Sequence, residues 1–120
     1  MARVIGPDFV ALQVLDLEAS ARFYEERLGL ERASHSPSNA VVFRTEPVPF
    51  AVREPVVDLD EVERLGWGVA LWLKCDDAQE LHDSLDEAGV PTTQEPFDGP
   101  FGRTFAFMDP DVYTVTVHGG

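Results

Sequence analysis

The stretch FVALQVLDLEASARFYEERLGL, Phe9 to Leu30, changes its periodicity once, and that change sets a strand before a helix. Up to Val14 the chain alternates. Val10, Leu12 and Val14 fall on one face and Phe9, Ala11 and Gln13 on the other, the period of a strand. From Asp16 the spacing becomes helical. Asp16 suits the N-cap, Glu18 the positive helix end, and Gly29 a left-handed stop. Leu17, Ala21, Tyr24 and Leu28 form an apolar stripe at helical spacing.

Outward from this stretch, three short strands follow: one near Leu30 to Ser34, one over NAVVFRT and one over FAVREP, separated by proline and small polar residues. VVDLDEVERLG, Val56 to Gly66, is an acidic connector, and after it the order returns. GVALWLKC, Gly68 to Cys75, reads as a strand, and Asp77 caps a helix with Glu80 at capping-box spacing. Ala78, Leu81, Leu85 and Ala88 form its stripe, and His82 beside them is expected at the solvent edge. A short strand at Val90 to Gln94 precedes RTFAFMD and YTVTVH, which the turn DPDV joins. Strand, helix and three strands thus occur twice. Asp16 maps onto Asp77 at an offset of 61, and Phe43 onto Phe107 at 64. This is a duplicated half-domain, α+β in class. We expect one domain over 1–120, with modules over about 8–55 and 67–118 and a connector over about 56–66.

Nine Lys and Arg against 22 Asp and Glu leave a net charge of −13. Such a surface repels phosphate backbones and anionic lipid, which argues against nucleic acid and membrane partners. It attracts cationic ligands or simply keeps the protein soluble. One cysteine, Cys75, cannot staple the domain and reads as a buried, inert thiol. MARVIGPDFV has no apolar leader core, so a cytoplasmic location is expected.

Three motifs carry a family resemblance: Val14 to Leu17 as V-x-D-L, Phe23 to Gly29 as F-Y-x-x-x-L-G, and the late G-R-x-F-x-F-x-D-P-D turn over Gly102 to Asp111. With the duplication, they make the chain resemble the vicinal oxygen chelate superfamily of glyoxalase I, extradiol dioxygenases and bleomycin-resistance proteins. Val112 stands where that family's turn usually has glycine, so the turn must avoid positive φ there or accept strain. The resemblance implies two βαβββ modules curled around a shared cavity, a homodimer, and in catalytic members a divalent metal held by the first and last strands of each module.

On that pattern the metal positions fall on Phe9, Val52, Ala70 and Thr116. Phe, Val and Ala have no lone pair to offer, and a neutral hydroxyl is too weak alone. Glu54 and His118 sit one inward step further and could start a shifted ligand set. The matching steps elsewhere, Ala11 and Trp72, add nothing, and Lys74 beside Gln13 would repel a cation. By strand alternation and the 64-residue offset, the cup face carries Phe9, Gln13, Phe50, Glu54, Trp72, Lys74, Thr114, Thr116 and His118. Aromatic walls with a few polar groups suit an organic ligand, although plain core packing is the blander account of Trp72. Trp67 lines the mouth or packs on a partner chain. His35 is at best a rim contact. Arg103 pairs with Asp98 or Asp109 or binds an anion.

The expected function is metal-free, cofactor-free binding of a small cationic aromatic compound, drug-like or a secondary metabolite, by sequestration. The expected contacts are Phe9, Gln13, Phe50, Glu54, Trp72, Thr116 and His118. The alternative is an enzyme, lyase-, isomerase- or dioxygenase-like, with a shifted metal or a His118–Glu54 acid–base pair. A third reading is an interaction module whose cup is only a dimer interface.

Overall fold

The computed structural model describes residues 2–3, 5 and 7–120, so part of the N-terminal segment read for a leader lies outside the described residues. The chain divides into two compact units, 1–59 and 60–120.

In the first unit, β1 (Val10–Gln13) leads into α1 (Leu17–Glu26), then β2 (Glu31–Arg32), β3 (Ala40–Arg44) and β4 (Phe50–Arg53). The sheet order is β1-β4-β3-β2, with β1 parallel to β4 and the other pairs antiparallel. The Asp16 carboxylate accepts from the Ala19 N–H at 3.0 Å, a cap that contributes about 1 kcal/mol. Gly29, at φ +73°, ends the helix and lets the Leu30 N–H reach the Tyr24 carbonyl. Tyr24 is fully buried, with ring centroids 5.0 Å from Phe50 and 6.3 Å from Phe43, so these three rings fasten α1 to its sheet. From β2, Arg32 reaches α1 and pairs with Glu18 at 2.9 Å and Glu25 at 3.2 Å. The hydrogen bond from Arg32 holds the Glu18 carboxyl below the usual carboxylate range.

The second unit repeats this plan. After a single 3-10 turn (Leu59–Glu61) come β5 (Leu71–Lys74), α2 (Ala78–Glu87), β6 (Thr92–Gly99), β7 (Gly102–Met108) and β8 (Thr114–His118). The order β5-β8-β7-β6 reproduces the first sheet, including its one parallel pair. Asp77 caps α2 through the Glu80 N–H at 3.0 Å. Gly89 closes the helix with bonds from its own N–H to Asp86 and from the Val90 N–H to Leu85, the Schellman pattern.

Several elements differ from the sequence reading. β5 begins only at Leu71, because Gly68 at φ +93° leaves extended geometry. β6 runs to Gly99 rather than Gln94, through Pro96, which an edge strand tolerates at the register shift between Gln94 and Phe97. His82 is buried rather than at the solvent edge. Its ring stands edge-on to Phe105 at 5.4 Å, with Nδ1 3.0 Å from Asp83 and Nε2 3.5 Å from Glu95 on the extended part of β6. Cys75 is only partly buried. Val112 accepts the strain, at φ +70°.

The most consequential difference is a register. Val10 pairs with Phe50 and Leu71 with Val115, so the offset of 61 in the first strands becomes 65 in the last. Phe43 pairs with Phe50, whereas the equivalent Phe107 pairs with Val115, so one more residue lies between the paired positions of β7 and β8 than between those of β3 and β4. Thr116 therefore corresponds to Ala51, not Val52, and His118 to Arg53, not Glu54. A one-residue slip moves a whole strand's side chains to the other face. Phe50 accordingly packs on Tyr24 under α1 instead of lining the open face, and Val52 shares its side.

Candidate functional site

Each sheet packs one face under its helix; the other, the open face, ranges from exposed side chains such as Trp72 and Lys74 to buried ones such as Ala51, Thr104 and Ala106. In the second unit Phe105 and Phe107, both fully buried, belong to the helix side, so their neighbours in sequence define the open face. Two rows cross it. Trp72, Thr116, Ala106 and Gln94 lie side by side in one row. Lys74, His118, Thr104 and Phe97 form the next.

At the edge of this face three rings gather. Trp72 lies 5.8 Å from His118 and 6.2 Å from Phe101, and Phe101 lies 6.3 Å from His118. His118 Nδ1 is 3.3 Å from the Phe101 carbonyl, which ties the β6–β7 turn to β8. Trp72 is 48% exposed and Phe101 67%. These are contacting rings that still present their surface outward, which the core-packing account of Trp72 does not describe. The rows carry no carboxylate. Arg103 is directed elsewhere, to Asp98 at 3.1 Å and Gln79 at 2.9 Å, so the pairing alternative holds and Asp109 is not its partner.

In the first unit the open face holds Ala11, Gln13, Ala40, Val42, Ala51 and Arg53. The Gln13 carboxamide oxygen accepts from the Val56 N–H at 2.8 Å. Phe9 precedes β1 and is 49% exposed. Glu54 is exposed just past β4, on the alternation of Phe50 and Val52. Separately, an open hollow of about 610 Å³ is bounded by Ala33, Val42, Phe43, Arg44, Thr45, Glu46 and Pro49. Trp67, 76% exposed, lies under the Arg64 guanidinium at 4.7 Å, and His35 is exposed in its loop.

The corrected register moves one of the four metal positions onto Ala51, so the set becomes Phe9, Ala51, Ala70 and Thr116. Three lack any donor atom, and one threonine hydroxyl does not make a divalent site, so these residues do not fit the family's metal. Among the described residues no group of three or more His, Cys, Asp or Glu comes together.

Sequence reasoning brought Trp72, Thr116 and His118 to one face, as the structure does. It missed Phe101 because β6 was ended too early. GPFG, a two-residue link between strands with glycine on each side, was the available signal. Phe50 and Glu54 were misplaced by the register.

Among described residues no helix is long and apolar enough to cross a membrane. No curated protein matches this sequence. Solved structures similar to it include the fosfomycin resistance protein FosX from Listeria monocytogenes, complexed with manganese(II) and sulfate, at TM-score 0.75 and 20% identity over 98% of this chain and 92% of that one. Lactoylglutathione lyase from Agrobacterium tumefaciens gives 0.69 at 21% identity over 99% and 96%. The bleomycin-binding protein of Streptomyces verticillus, complexed with copper(II)-bleomycin, gives 0.67 at 20% over 100% and 99%. At these identities the likeness shows the fold. A family model matches residues 6–117, and the chain belongs to the Glyoxalase/Bleomycin resistance protein/Dioxygenase superfamily.

Proposed function

We propose that this protein binds a small aromatic compound on the open face of its second module, without a metal and without turnover, and so sequesters it. The observation that carries this reading is the contacting, outward-presented group of Trp72, Phe101 and His118. Aromatic rings offer a large contact area at low entropic cost, and each ring pair contributes about 0.5–1.5 kcal/mol beyond area. The side chains at the four metal positions support a binding role over metal-assisted chemistry. The bleomycin-binding relative offers a precedent for capture of a small molecule on this fold. We place Thr116 beside Trp72 as a polar contact. The working unit is a homodimer, which light scattering after gel filtration tests.

Calorimetric titration of chelator-dialysed protein with 2-naphthamide, a neutral bicyclic probe, tests the reading. Saturable binding should weaken by roughly tenfold or more in Trp72→Ala and Phe101→Ala. It should persist in Trp67→Ala. Absence of saturable binding in the parent protein, both of this probe and of charged probes of the same ring, would refute it.

A further inference from the structure

We infer that the ligand of this face is an aromatic anion, its ring on Trp72 and Phe101 and its acidic group received by Lys74 and His118. The inference rests on the reading of this face as the binding site and adds the ligand's charge. It runs against the acidic composition, from which a cationic guest was expected.

Three observations support it. First, Lys74 is the only lysine in the chain. It stands next to His118 across the β5–β8 pair and two residues along β5 from Trp72. That step spans about 6.6 Å, close to the roughly 4 Å from the centre of a naphthalene to an attached carboxylate plus a charge-assisted hydrogen bond of about 2.8 Å. Second, four of the eight arginines have work elsewhere. Arg32 holds Glu18 and Glu25, Arg44 holds Glu31, Arg103 holds Asp98, and Arg64 covers Trp67. Lys74 is exposed and has no ion pair among the described residues. Third, the first unit also places a basic residue and no carboxylate at the corresponding pair. The positions equivalent to Lys74 and His118 in the first unit are Gln13 and Arg53, again paired across the parallel strands and again without a carboxylate.

The charge of −13 does not decide the matter. At physiological ionic strength the screening length is about 8 Å, so carboxylates farther away count for little against a cation in direct contact. A lysine contact on a partly exposed face should favour an anion over a neutral isostere by about five- to tenfold.

The experiment compares three probes of one shape in calorimetric titration of chelator-dialysed protein: 2-naphthoate, 2-naphthamide and 2-naphthylmethylammonium. We expect naphthoate to bind about five- to tenfold tighter than the amide, and the cation more weakly than either. Lys74→Gln should abolish the preference for naphthoate over the amide, with melting temperature confirming the fold. Equal affinities, or tighter binding of the cation, would overturn the anion assignment and leave the binding face standing. A naphthoate preference that survives in both Lys74→Gln and His118→Gln would overturn it as well. Failure of all three probes to bind would refute the site and this inference together.

Discussion

Val112 offers a direct test of how this sequence fits its backbone. The β7–β8 link is a three-residue loop, Pro110 to Val112, closed by a bond from the Val112 N–H to the Asp109 carbonyl. Asp109, 5% exposed, accepts from the Asp111 and Tyr113 N–H groups, both at 2.9 Å, and so over-determines the turn. Such loops end on a left-handed residue that is usually glycine. Here a β-branched residue sits at φ +70°, at a cost of about 1–2 kcal/mol. Its side chain is 59% exposed and returns only about 0.5 kcal/mol of burial. Glycine adds unfolded-state entropy of about 0.4–1 kcal/mol, so Val112→Gly should stabilise by a net of about 0.3 kcal/mol, reaching about 1 kcal/mol at the upper end of the strain. For this length that raises Tm by roughly 1–4 °C, readable by calorimetry. Val112→Asn should gain less, and Val112→Ala, which keeps the Cβ, almost nothing. A fall in Tm for the glycine variant, or an equal rise for alanine, would refute the strain account.

Other perturbations test the packing and the electrostatics. Ser20 lies on the buried side of α1 with a hydroxyl that has no hydrogen-bond partner, so Ser20→Ala should stabilise by about 1 kcal/mol in denaturant unfolding, and destabilisation would contradict this. Phe50→Ala should cost about 3–5 kcal/mol of stability, because the ring fills the core against Tyr24. Trp72→Ala should cost far less stability while weakening ligand binding, and the reverse ranking would restore Phe50 to the open face. Glu18 is depressed in the folded state by its bond to Arg32. Its contribution is therefore present above the ordinary glutamate value of about 4.3 and is lost as pH falls through the lower folded value. Thermal melts should show Glu18→Gln less stable than the parent at pH 7, with the gap closing as the pH is taken well below the ordinary glutamate value. A gap unchanged across that range would disprove the linkage.

The elements that depend on local chemistry were legible in the sequence. Asp16 and Asp77 announce their helices because a cap is a short-range bond, and Gly29 and Gly89 end them because few other residues accept the left-handed turn. The duplicated strand order followed from these caps. The faces of β4 were harder to read. The extra residue between β7 and β8 is invisible in alternation alone, since FAVRE and YTVTVH alternate equally well in either frame; only the pairing of Phe50 with Val10 and Phe43 fixes it. Pro96 hid the second half of β6 because proline signals a break, while an edge strand at a register shift admits it. Phe101 was lost with that strand. His82 looked solvent-edged beside its stripe, but the ring contact with Phe105 comes from a neighbouring strand, a tertiary effect outside helical periodicity.

The measurement that bears most directly on function is the affinity of one fixed aromatic probe before and after complete chelation, repeated with added manganese, zinc and nickel. If aromatic and basic side chains alone form the site, the affinity of 2-naphthoate stays the same within twofold throughout, and dialysed protein retains no stoichiometric metal. Loss of binding on chelation, restored by one of these ions, would show that donor groups other than Phe9, Ala51, Ala70 and Thr116 hold a metal, and the metal-free account would be wrong.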